Sequence, residues 1–188
     1  MNSFIVQLRW SCLECSPSEA YRFPSALNPH VRKWYNRPGV YRWAVFDTDG
    51  RLSEAYIGET ESVYTRLYQY LHPGKTQQTN LRLKAYLHDV LSRGLKLEYQ
   101  VLEFDSFQIN SLVVSCESLS DPHIRKFMEA FAVSELRASG CKIMNLGRDS
   151  MDKGIDRAIA PLNLSGPAKD AAVAGIKSLF QRKRGVNP

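Results

Sequence analysis

The sequence predicts an α+β domain built on a small, mainly antiparallel sheet of three strands flanked by helices. Three observations carry that expectation. Two β-like runs, Gly39 to Phe46 and Leu52 to Gly58, are joined by Asp47-Thr48-Asp49-Gly50, and Asp-Gly between alternating apolar segments is a hairpin signal. Two stretches with helical apolar spacing follow, and then a third alternating run, Lys96 to Phe104. A long apolar helix starting at Asp121 completes the order strand, strand, helix, helix, strand, helix, which suits a sheet covered by helices.

The elements are justified in chain order. Residues 2–10 alternate through Phe4, Val6 and Leu8 and read as a short strand. Residues 1–37 as a whole read as an N-terminal extension that packs on the core, because Tyr21, Phe23, Trp34 and Tyr35 are too apolar for a free tail. The hairpin occupies residues 38–58. Thr60 suits the N-cap of a helix to about Leu71, with Val63, Leu67 and Leu71 as its apolar stripe. His72-Pro73-Gly74 breaks it. Thr79 or Asn80 then caps a second helix to about Ser92, with Leu83, Leu87, Val90 and Leu91 facing the core and Gly94 as its stop.

Leu97, Tyr99 and Val101 mark the third strand. Residues 105–121 are a polar and β-prone insertion. Asp121-Pro122 starts a helix to about Ser139, with Ile124, Phe127, Met128, Phe131 and Ala132 on its buried face. Lys142 to Leu146 is a short, strand-like run. Residues 148–188 form a C-terminal tail with a helix expected at 167–183, ending in Arg182-Lys183-Arg184.

At 188 residues the chain suits one domain with a full core and extensions. No apolar run approaches the roughly 18 residues a membrane span needs, so no membrane partner is expected. Met1 to Trp10 carries Arg9 as its one cation and no apolar core, so no signal peptide is expected either. The expected location is the cytoplasm, at the nucleoid if the source is bacterial, with reduced thiols. Cys12 and Cys15 form a C-x-x-C without a second ligand pair, which favours ordinary thiols over zinc. A net charge of +6 favours a polyanionic partner.

Gly39-Val40-Tyr41 and Tyr56-Ile57-Gly58 put two tyrosines on neighbouring strands. Taken alone, they are a cross-strand aromatic pair or the floor of a site. Further residues extend the pattern. Arg66 stands ten residues after Tyr56, Tyr70 four after that, Glu129 lies on the late helix, and Asn145 follows in Ile143-Met144-Asn145-Leu146. Over roughly residues 38–147 this constellation resembles the GIY-YIG nuclease family. The resemblance implies that family's fold and DNA cleavage, with catalytic Tyr41, Tyr56, Arg66, Tyr70, Glu129 and Asn145, and Mg²⁺ on Glu129, for which Mn²⁺ substitutes. The expected substrate is DNA, duplex or branched. Some members carry a lysine after the second triplet, where this chain has Glu59. His72, Lys75 or Lys84 are candidate cations nearby, and with Arg182, Lys183 and Arg184 they are candidate DNA contacts. Glu135 is a second acid on the helix of Glu129, whose distance to Asn145 fits the family better.

The chemistry is coherent without the family. Arg66 and Tyr70, at i and i+4, share a helix face. A carboxylate beside an apolar stripe is costly unless neutralised, and Glu129 could pair with Arg125 at i−4 or hold a cation. One carboxylate suits Mg²⁺, which keeps waters and takes phosphate oxygens. In this scheme Arg66 stabilises charge on the phosphoryl oxygens. Tyr41 orients or deprotonates the attacking water, while Tyr56 and Tyr70 hold the network. Ionising a free phenol at pH 7 costs roughly 4 kcal/mol, so Tyr41 either has its pKa lowered or acts as a neutral relay. Asn145 suits a turn or cap as well as catalysis. The rival expectation is a nucleic-acid-binding module that keeps the fold and does not cleave.

Overall fold

Strand pairing around Tyr41 organises the molecule. The computed structural model describes residues 7–109 and 112–145. In chain order the elements are β1 (Leu8–Cys12), β2 (Glu14–Ser16), β3 (Glu19–Ala20), α1 (Pro29–Tyr35), β4 (Gly39–Phe46), β5 (Leu52–Thr60) and α2 (Val63–Leu71). They continue with α3 (Gln78–Ser92), β6 (Lys96–Phe104), β7 (Phe107–Ile109), β8 (Leu112–Val114), a 3₁₀ turn (Glu117–Ser120), α4 (Pro122–Ala138) and β9 (Lys142–Ile143).

The architecture is α+β, and the main sheet is larger than the three strands expected. Its five strands run β1-β6-β4-β5-β9. β1, β6, β4 and β5 pair antiparallel, and β9 adds to β5 in parallel. Both additions have a physical origin. β1 joins β6 because Leu8 and Trp10 find apolar partners under α4. Arg125 in the first turn of α4 meets Glu59 at the end of β5, whereas the chain beyond α4 pairs with Glu54 and Ala55 near its start. α4 therefore runs antiparallel to β5, and a strand that turns back after it must run parallel.

Alternation along the strands sorts two cores. Val40, Ala55, Ile57, Leu102 and Phe104 face α4. Tyr41, Trp43, Tyr99 and Val101 face the opposite way, against α2, α3 and Leu13, Tyr21, Phe23 and Val31 of the N-terminal segment.

Several boundaries differ from expectation. The strand expected at 2–10 forms at Leu8–Cys12, and residues 2–6 lie outside the described residues, as does the helix expected at 167–183. Thr60 ends β5 instead of capping α2, because pairing continues to Gly39↔Thr60. Ser62 caps α2, its Oγ accepting from Thr65 N at 3.0 Å. α3 starts at Gln78, so Thr79 and Asn80 fall inside its first turn. Leu91 is 36% exposed, since Leu83, Leu87 and Val90 already fill the buried face of α3. Within 105–121, β7 and β8 pair as a hairpin and the 3₁₀ turn follows; Phe107, Val114 and Leu119 pack with α4.

Candidate active site

The β4–β5 register places Tyr41 opposite Gly58 and Trp43 opposite Tyr56. The two tyrosines are therefore on one face of the sheet, offset diagonally by two residues. α2 supplies the next groups. Its buried residues Val63, Leu67, Tyr70 and Leu71 dock on that face, and Arg66 stands one turn before Tyr70. The Tyr41 and Tyr70 hydroxyls are hydrogen-bonded at 2.7 Å. Arg66 Nε donates to Tyr41 Oη at 3.0 Å, and Arg66 Nη1 donates to Gln69 Oε1 at 3.0 Å. The guanidinium also lies 4.6 Å from the Tyr70 ring centroid, within cation–π range. Tyr56 meets Tyr70 edge to face at 6.3 Å. Tyr41, Tyr56, Arg66 and Tyr70 thus form one cluster.

Sequence reasoning had Tyr99 as a marker of the third strand and missed its place here. It stacks on Tyr41 at 5.3 Å. Its spacing between Leu97 and Val101 marks burial, and nothing local separates a stacking partner from any other core aromatic. Gln69 was also missed; its position three residues after Arg66 is the one signal for it.

Burial sets the electrostatics. Tyr41 is 1% exposed, and burial pushes its hydroxyl up to about 12, with Arg66 and the Tyr70 hydrogen bond offsetting part of the rise. Burial raises the Tyr70 and Tyr99 hydroxyls as well. These three phenols are neutral at neutral pH. Tyr56 and Arg66 are half-buried and form the accessible side of the cluster.

Asn145 sits at the other side of β5. Its Oδ1 accepts from Ile57 N at 2.9 Å, and its Nδ2 donates to Ile57 O. The side chain thus continues the β5 edge beyond β9 and braces the residue next to Tyr56. Glu129 is 3% exposed on α4. It lies on the side of the sheet opposite Tyr41, four residues after Arg125. The fold thus brings Tyr41, Tyr56, Arg66 and Tyr70 together and leaves Glu129 on the other face of the sheet.

Arg125 reaches from α4 to the end of β5. Its Nε donates to Glu59 Oε2 at 2.9 Å, and its Nη1 donates to the Leu119 and Ser120 carbonyls, each at 2.9 Å. Glu59, in the position where some family members have lysine, is thus engaged by α4. Lys84 donates to the Leu71 carbonyl at 2.6 Å and closes the C-terminal end of α2. His72 is exposed and its ring lies 4.6 Å from that of Tyr68. Lys75 is exposed between α2 and α3. Arg182, Lys183 and Arg184 lie outside the described residues. Cys12 and Cys15 are half-buried free thiols. Among the described residues no group of three or more His, Cys, Asp or Glu side chains is placed to hold a metal.

No family model matches the chain, and no curated protein or solved structure matches it either.

Proposed function

We propose that this chain is a metal-dependent endonuclease of the GIY-YIG type that hydrolyses DNA phosphodiesters. The observation that carries the reading is the hydrogen-bonded triad of Arg66, Tyr41 and Tyr70 on the hairpin face. A structural arginine is ordinarily solvated or paired with a carboxylate; this one is held by phenols, which fix its direction, and it has no carboxylate partner among the described residues. That is the arrangement needed to receive a phosphate.

The geometry supports a division of roles. Arg66 receives a non-bridging phosphate oxygen and stabilises the charge that develops there. Tyr41 and Tyr70 hold the guanidinium in place as neutral phenols. Ionising a phenol held near 12 at pH 7 costs roughly 7 kcal/mol, so Tyr41 acts as a hydrogen-bonding relay and not as a pre-formed base. Tyr56, half-buried at the accessible side, orients the attacking water. The water oxygen adds to phosphorus, the P–O bond to the sugar breaks, the water loses a proton and the sugar oxygen gains one.

A carboxylate suits Mg²⁺ or Mn²⁺, but Glu129 is buried on the face of the sheet opposite Arg66 and Tyr41, so an ion on it would not reach the phosphate that Arg66 receives and no step passes through it. The roles of Arg66 and the tyrosines rest on their own contacts.

The test is plasmid nicking in Mg²⁺ or Mn²⁺. The intact chain is expected to nick, and Arg66→Ala to abolish nicking while DNA is still bound; Glu129→Ala reads whether the acid across the sheet takes part. DNA binding without nicking by the intact chain, in both metals and on duplex and branched substrates, would leave the binding module as the correct reading.

A further inference from the structure

A cavity of about 760 Å³ opens between α1 and the sheet, away from the tyrosine cluster. Ser11, Val101 and Glu103 form its floor. Val101 pairs with Ser11 on one side and with Tyr41 on the other. The cavity and the cluster therefore share one face of the sheet and are a single strand apart. Arg37 at the cavity wall also links the two, because its carbonyl accepts from Val63 N at the start of α2.

Three kinds of group meet in this cavity. The first is aromatic: Trp34 and Tyr35 line it, and Trp34 is 56% exposed, a large apolar surface without cover among the described residues. Tyr35 is fixed, its Oη accepting from Glu14 N at 3.0 Å. The second is acidic: Glu103 and Glu14 supply carboxylates, and Ser11 Oγ donates to Glu103 Oε2 at 2.8 Å and so orients that carboxylate. The third is cationic. α1 reads Pro-His-Val-Arg-Lys-Trp-Tyr and contains no acid. Arg37 lines the cavity, and Lys33, outside its lining, has its Nζ 5.1 Å from the Trp34 ring.

Each kind matches a different portion of a nucleotide. Aromatic planes stack bases, carboxylates accept from amino groups on base edges, and lysine and arginine take the phosphate. Two carboxylates at the wall favour a ligand with N–H donors over an apolar one. An organic cation would meet Arg37.

We propose that this cavity binds an unpaired nucleobase bearing an amino donor, guanine foremost, with its ring on Trp34 and its donor edge on Glu103 and Glu14. Guanine presents adjacent N–H donors to a carboxylate, whereas thymine presents one. The inference rests on DNA as the partner and deepens that reading, but it does not require cleavage.

The experiment is fluorescence anisotropy of the full chain, without metal, on labelled duplexes that are fully paired or carry one bulged guanine or one bulged thymine. The two duplexes differ in the bulged base alone, and the double substitution at Glu14 and Glu103 separates base reading from duplex shape. The guanine bulge is expected to bind at least about five-fold tighter than the thymine bulge, the low end for a bidentate contact. Trp34→Ala should lower affinity for both bulges towards that of the paired duplex. Glu14→Gln combined with Glu103→Gln should abolish the guanine preference and leave paired-duplex affinity within about two-fold. Equal affinity for the two bulges, or a guanine preference that survives the double substitution, would overturn the proposal. If paired plasmid is nicked in the same preparations, only the base site is lost and the nuclease reading stands.

Discussion

The Tyr41 phenol lies across the backbone of Gly58. A Cβ built on Gly58 would stand 2.6 Å from Tyr41 Cζ, closer than real carbons approach. The first triplet ends in the tyrosine that crosses the strand, and the second ends in the glycine that makes room for it. Gly39 makes room in the same way for α2, where a Cβ would meet Val63 Cγ2 at 2.9 Å. The glycines bring the sheet and α2 close enough for Arg66 and Tyr70 to reach Tyr41.

Gly58→Ala is therefore expected to destabilise the chain by roughly 1–3 kcal/mol, the range for overpacking. Urea denaturation measures it. In a Tyr41→Leu background the same substitution should cost less, since the ring it strikes is gone. Equal costs in the two backgrounds would show that the contact is not the cause.

Tyr41→Phe is expected to fold and to lose most nicking activity, because it removes the acceptor of Arg66 Nε and the partner of Tyr70. The same hydroxyl gives stability a pH dependence. Its folded pKa, about 12, lies above the ordinary tyrosine value of 10.0. The unfolded chain thus releases this proton first as pH rises. The contribution is fully present below pH 10 and is lost as pH climbs towards 12. Melting temperature across that interval should fall less steeply in Tyr41→Phe than in the parent; identical slopes would assign the alkaline transition to other groups.

Arg125→Met should cost about 3 kcal/mol. Breaking a buried ion pair by removing one partner costs roughly 3–5 kcal/mol, and the partial exposure of Glu59 places this pair at the low end. The loss also strips hydrogen bonds from the Leu119 and Ser120 carbonyls. A second substitution, Glu59→Leu, should recover part of the loss, which a double-mutant cycle in urea would read.

Asn145→Ala removes two hydrogen bonds from the Ile57 backbone and is expected to cost about 2 kcal/mol. Amide exchange at Ile57 should accelerate more than at the centre of β4. A variant with unchanged exchange and lost nicking would instead mark Asn145 as a group that touches substrate.

Much of the fold was legible because its signals are local. Asp47-Thr48-Asp49-Gly50 announces a hairpin, and in the structure Asp47 Oδ1 accepts from the Asp49 and Arg51 amides to close the turn. Asp121-Pro122 announces α4, and Asp121 accepts from His123 N. The limits of β5 and the start of α2 were misread because Thr60 has good capping chemistry. Its pairing with Gly39 overrides that preference, and pairing is not a property of Thr60 alone.

The candidate site divides along the same line. Spacing alone puts Arg66 and Tyr70 on one helix face and Tyr41 and Tyr56 on adjacent strands, because helix and strand periods are fixed by backbone geometry. Folding alone joins Arg66 to Tyr41, stacks Tyr99 against it, pairs Arg125 with Glu59, and turns Asn145 onto the Ile57 backbone. Those contacts cross 25 to 88 residues of chain. They depend on which strands become neighbours and on which side each helix packs. The Tyr41 phenol shows the division most clearly: the chain order places it on a strand, and burial against α2 and β6 decides that it stays protonated.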